Sequence, residues 1–88
     1  MDDKSPPVNS SMLPKFLGKK VRLTCKVINV NEQASRATVQ ASDGGDVVVQ
    51  FYGDLEIKNT FIEVVGTVVD ETTIKHEATI NLGDELGM

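Results

Sequence analysis

The sequence predicts an all-β domain closed into a small five-stranded barrel. Apolar residues recur at every second position in several short segments, and Gly- and Asp-rich turn signals separate them. With 88 residues the chain makes one domain, and five short strands in so small a chain would leave exposed edges unless the sheet closed on itself.

Residues 1–10, MDDKSPPVNS, are polar and aperiodic and read as a flexible arm ahead of a domain at 11–83. In SSMLPKFLGKK, Ser10 or Ser11 can cap a short helical turn, Pro14 is tolerable in a first turn, and Gly18 suits a left-handed stop. Leu13, Phe16 and Leu17 give that turn an apolar side to plug the barrel end. From Lys19 the period becomes two: Val21, Leu23, Cys25 and Val27 against Lys20, Arg22, Thr24 and Lys26. The phase slips at Val27-Ile28 and continues through Ile28 and Val30, which predicts a bulge bending one long strand.

After the polar loop 31–35, Ala37, Val39 and Ala41 define a second strand, and Asp43-Gly44-Gly45-Asp46 is a hairpin turn whose glycines supply positive φ. Val47–Phe51 is the third strand, followed by a connector too short for more than one helical turn. Phe61–Val69 is β-branched in both phases and predicts a strand covered on both faces. Beyond Asp70-Glu71-Thr72, the residues Ile74, His76, Ala78 and Ile80 alternate with Lys75, Glu77 and Thr79. A long bent first strand and a linker after strand three favour an oligonucleotide/oligosaccharide-binding (OB) Greek-key barrel over an SH3-like one.

Composition narrows the chemistry. One Cys and one His cannot supply a four-ligand Cys/His zinc site, and Cys25 excludes an internal disulfide. No apolar run is long enough to span a bilayer as a helix. No nucleophile–base constellation, calcium loop or phosphate loop is present, so no catalytic residue, metal, cofactor or small-molecule substrate is expected. Cys25 reads as a small buried hydrophobe and His76 as a half-buried packing residue.

The net charge is -4, but residues 1–40 carry seven Lys/Arg against three Asp/Glu, while residues 41–88 carry two against ten. Single-strand binding needs cations along the backbone and aromatic stacking platforms. Lys20, Arg22, Lys26 and Arg36 are the candidate cations and Tyr52 the candidate platform. Phe51 falls in the inward phase, so stacking residues are few. The two-faced strand points instead to a partner, because whichever phase lines the interior, the other is apolar. Ile62, Val64 and Val68, with Leu82, Leu86 and Met88, are the candidate subunit interface; Phe61, Val65 and Val69 are the alternative phase.

Met12-Leu13-x-x-Phe16-Leu17-Gly18-Lys19-x-Val21, Ser42-Asp43-Gly44 and Glu63-Val64-Val65-Gly66-x-Val68 together resemble the smallest subunit of eukaryotic replication protein A, over roughly residues 9–83. The resemblance implies an OB fold, a nuclear location, and a structural subunit of a heterotrimeric single-stranded-DNA-binding complex in replication, repair and recombination. Its partners would be the larger and middle subunits, with single-stranded DNA held mainly by them. It also implies a C-terminal helix that joins a three-helix bundle; residues 84–88 read as its truncated start, with Asp84 and Glu85 as cap and first turn. Cys25 stands where the family often has Gly. Two other readings compete: a free-standing weak single-strand binder, and the small OB subunit of a telomere-capping complex.

Overall fold

The computed structural model describes residues 5–52 and 60–83. The strands are β1 (Pro7–Val8), β2 (Lys20–Asn31), β3 (Arg36–Ala41), β4 (Asp46–Gln50), β5 (Phe61–Asp70) and β6 (Thr73–Gly83), with a 3-10 helix at Ser10–Phe16. Neighbours run β1-β2-β3-β4-β6-β5, and β5 returns to pair with β2, closing the barrel. The five expected strands are β2 to β6, and the sixth comes from the arm. The expected connector turn after β4 and the helix start at 84–88 lie outside the described residues.

β2 serves two neighbours. Lys20–Lys26 pair with β5, while Cys25–Asn31 pair with β3. A strand shared in this way must bend, and the bend falls where expected: Ile28 has no partner between Val27↔Val39 and Asn29↔Thr38. Ile28 and Val30 do not continue the inward row, however. They are exposed, because past Lys26 the strand has lost β5 as a neighbour.

Residues 5–10 are not a loose arm. Pro7-Val8 pairs in parallel with Arg22-Leu23, along the edge of β2 that β3 does not reach. The Arg22 N–H donates to the Pro6 carbonyl at 2.9 Å and Arg22 Nε donates to the Ser5 carbonyl at 2.9 Å. Val8 and Ser5 are buried. A polar segment is thus held at the edge of β2 by backbone bonds, by the Arg22 side chain and by the burial of Val8, none of which its aperiodic sequence signals.

The helix then carries Leu13 into the core with no exposed surface, and Met12 and Phe16 pack beside it. Leu17, expected on the same side, is exposed. Gly18 takes φ +77 and ends the helix as expected, its N–H donating to the Val68 carbonyl.

On β5, Ile62, Val64, Gly66 and Val68 face inward, completing a core with Val21, Leu23, Val39, Val47, Val49 and Ile74. A Cβ at Gly66 would run into the Lys75 carbonyl oxygen, so only glycine lets β6 approach there. β6 departs from the expected alternation. Val65 pairs with Ala78 and Gly66 with His76, which leaves Glu77 as an extra residue. The bulge reverses the phase: Thr79 and Asn81 lie opposite buried Val64 and Ile62, and Ala78 and Ile80 turn outward.

Candidate nucleic-acid and partner surfaces

The outward residues of β2 form the basic row seen in the sequence, but the fold neutralises half of it. Lys20 Nζ lies 3.1 Å from Glu77, and Arg22 Nη1 lies 3.7 Å from Glu63. Glu77 also accepts the Thr67 hydroxyl at 2.8 Å, and these bonds hold its carboxyl below the usual range. Exposed pairs of this kind contribute roughly 0–1 kcal/mol of stability. Their larger effect is to remove net positive charge from this face.

Lys26 and Arg36 differ. Among the described residues neither has a carboxylate within ion-pair distance. Lys26 stands in register between Phe61 and Gln40, in a cleft of ≈ 220 Å³ that Thr24 and Ser42 also line. Arg36 stands opposite Gln50, in a second cleft of ≈ 140 Å³ that includes Ser35 and Tyr52. Tyr52 is 72% exposed, and Lys75 Nζ lies 5.5 Å from its ring centroid, a cation–π distance. The five candidate nucleic-acid residues are therefore not one patch. Lys20 and Arg22 belong to ion pairs, whereas Lys26 and the Arg36/Tyr52 pair mark two clefts. Lys75, over the Tyr52 ring, was not among the sequence candidates; it arrives through the parallel pairing Gln50↔Lys75, which no local pattern signals.

A third cluster is structural. The Asp43 carboxylate accepts the Ser10 hydroxyl at 2.8 and 2.9 Å, the Ser10 N–H at 3.3 Å, the Ser11 N–H at 3.1 Å and the Gly45 N–H at 3.3 Å. The Ser10 hydroxyl does most to hold this carboxyl below its usual range. Asp43 thus supplies from the β3–β4 turn the helix cap expected of Ser10 or Ser11. A Cβ at Gly45 would strike the Ser10 hydroxyl, so the glycine is required by close approach.

The lone nucleophile and base stand apart. Cys25 is buried with Sγ 3.7 Å from the Ile62 carbonyl, and burial pushes its thiol up to about 12. His76 is half-buried and bonded to the Thr79 hydroxyl; burial lowers its imidazole below the ordinary value, against an opposing pull from Glu77. Among the described residues no three His, Cys, Asp or Glu side chains gather as a metal site.

The expected interface needs correction. Ile62, Val64 and Val68 are each 1% exposed and belong to the barrel core, so they cannot face a partner. The outward apolar phase is Phe61, Val65 and Val69 on β5, with Ala78 and Ile80 on β6. Ile80 is 48% and Leu82 39% exposed. Leu86 and Met88 lie outside the described residues.

The family model described as replication factor A protein 3 matches residues 1–88. The chain belongs to the replication factor A protein 3 family. A 14 kDa subunit of replication protein A from Arabidopsis thaliana is 30% identical over 86 residues, spanning 96% of this chain and 78% of the relative. Among solved structures, replication protein A of U. maydis bound to single-stranded DNA contains a chain 31% identical with a TM-score of 0.82, covering 92% of this chain and 75% of that one. The telomere capping protein Ten1 from Saccharomyces pombe superposes with a TM-score of 0.68 at 11% identity, over 89% of this chain and 81% of that chain. That likeness shows a shared fold alone. The barrel of this replication factor A protein 3 family member is thus of the OB type, as expected, and the motif resemblance to the smallest replication protein A subunit is borne out.

Proposed function

We propose that this chain is a non-enzymatic structural and assembly subunit of a nuclear, heterotrimeric single-stranded-DNA-binding complex acting in replication, repair and recombination. Its partners are a larger and a middle subunit, and single-stranded DNA reaches it through the complex. The observation that carries the reading is the outward apolar row of the β5–β6 hairpin, Val65, Ala78 and Ile80, with Leu82 at its end. The bulge at Glu77 turns Ala78 and Ile80 away from the barrel, where a self-sufficient barrel gains nothing from leaving aliphatic side chains in water. Family membership and the relative in a DNA-bound replication protein A support it. A single exposed tyrosine gives little scope for DNA affinity without partners.

Co-expression with the large and middle subunits of the cognate complex tests this. The wild-type chain should co-purify with both, and an Ile80→Glu/Leu82→Glu variant should lose them while its thermal midpoint stays within a few degrees. A folded wild-type monomer that ignores both subunits would sink the proposal.

A further inference from the structure

Residues 5–8 form a strap along β2, and their sequence carries a signal that the barrel does not use. Ser5 directly precedes Pro6, and no other serine or threonine in the chain precedes a proline. A residue before proline is confined to extended backbone, and the proline offers no N–H. An acceptor hydroxyl followed by proline in an extended segment is the form that proline-directed protein kinases take as substrate.

The structure makes this strap a separately movable piece. Asp43 grips Ser10 and Ser11 at 2.8 to 3.3 Å, and Leu13 is buried just beyond them, so the helix stays seated. Asn9, extended at φ -120 and ψ -177, is therefore the hinge for residues 5–8. The strap itself is lightly held. It pairs with β2 at Pro7↔Arg22 and Val8↔Leu23, and Arg22 donates its N–H to the Pro6 carbonyl and its Nε to the Ser5 carbonyl, each at 2.9 Å. Pro6 and Pro7 lack donors of their own, and Val8 is the strap's one contribution to the apolar core. A segment with so few contacts opens locally while the rest of the fold stays intact.

We propose that Ser5 is a phosphorylation site for a proline-directed kinase, and that its phosphate holds the strap off β2. The kinase acts on the released strap. Ser5 Oγ attacks the γ-phosphorus of ATP, the new O–P bond replaces the bond to the departing ADP, and the hydroxyl proton passes to the kinase's catalytic aspartate. In the closed strap Ser5 is only 6% exposed. A phosphate of about -1.5 to -2 charge needs water or several donors, so it cannot return to that buried place. Arg22 does not reverse the outcome. Its Nε is committed to the Ser5 carbonyl when the strap is closed, and its Nη1 lies 3.7 Å from Glu63, which brings a carboxylate to the same guanidinium. Opening bares the Arg22-Leu23 edge and the place that Val8 fills.

This reading does not depend on subunit assembly, and its test uses the full chain alone, with a peptide of residues 1–12 as the reference for an unfolded strap. Both are incubated with a purified mitogen-activated protein kinase, a proline-directed enzyme, and ATP. Mass spectrometry should place a single phosphate on Ser5, gained more slowly by the chain than by the peptide, and Ser5→Ala should gain none. Asp43→Ala and Val8→Ala, which loosen the strap, should each speed uptake by the chain. In the phosphorylated chain the Arg22 amide should exchange with solvent about tenfold faster or more, as expected of local opening, while the amides of β3 and β4 keep their rates. A peptide that is not phosphorylated would overturn the proposal. So would a phosphorylated peptide beside a chain that stays unmodified even as Asp43→Ala and Val8→Ala, or an Arg22 amide that exchanges no faster after phosphorylation.

Discussion

Asp43 shows how one exposed carboxylate can hold two distant segments together. It accepts hydrogen bonds from Ser10, Ser11 and its own turn, so replacing it removes the cap of the Ser10–Phe16 helix and loosens the strap that precedes it. Asp43→Ala is expected to lower the thermal midpoint and to speed hydrogen exchange at the Ser11 and Arg22 amides, with β3 and β4 unaffected. The sign of the acid effect follows from the depressed carboxyl: its contribution is present above the ordinary Asp range near pH ~4 and is lost as pH falls through the lower folded value. Denaturant midpoints between acid and neutral pH should therefore fall less steeply for Asp43→Asn than for the wild type. Cys25 acts at the other extreme. Its folded thiol is pushed up to about 12, so its contribution is intact below the unfolded value near pH ~8.5 and is lost as pH rises through the folded one. Native protein should resist iodoacetamide at neutral and mildly alkaline pH, and the unfolded chain should react at once.

Among the strands, the bulges decide which side chains are core and which are surface. Deleting Glu77 removes the extra residue and makes Gly66↔His76 and Val65↔Ala78 consecutive pairs, so Ala78 and Ile80 stay outward and Thr79 stays opposite Val64. The deletion variant is expected to keep the register of residues 78–83 and stay folded, with amide shifts centred on residues 75–79 and 64–67 and little change in β3. Gly66→Ala should cost about 1–3 kcal/mol in a urea melt, since the Lys75 carbonyl must move. Leu13→Ala, opening a cavity under the helix, should cost about 2–5 kcal/mol. The first bulge was legible because Val27-Ile28 breaks an otherwise regular apolar alternation. The second was not, because Ile74, His76, Ala78 and Ile80 keep a perfect period of two across it. Periodicity reports polarity along a strand, while register is settled by the neighbour, here by Gly66.

Across the molecule, the outward aliphatic row and the two aromatic clefts fall on separate faces. The aliphatic row lies on β5 and β6, and the two aromatic clefts border β2, β3 and β4. Variants on the two faces should act additively. Ile80→Glu/Leu82→Glu should leave the amide resonances around Arg36 and Tyr52 in place, and Arg36→Glu should still co-purify with partner subunits. The barrel itself was readable from alternation and turn chemistry, and Tyr52 and Arg36 from phase and residue type. The pairing of Lys20 and Arg22 was not, because Glu77 and Glu63 reach them from strands distant in sequence. Net charge likewise hides a local fact: an acidic chain keeps Lys26 and Arg36 clear of every carboxylate among the described residues by placing those groups at turns and across β5 and β6.

The parallel pairing of Pro7-Val8 with β2 also bears on how the chain matures during synthesis. β2 ends at Asn31, yet the strand that closes the barrel against it begins only at Phe61, so a nascent chain displays one long unsatisfied hydrogen-bonding edge while about thirty further residues leave the ribosome. Part of the other edge is already occupied, by a segment translated before β2 itself. The strap is thus positioned to act as a built-in chaperone, limiting the edge-to-edge encounters that turn half-made sheets into aggregates.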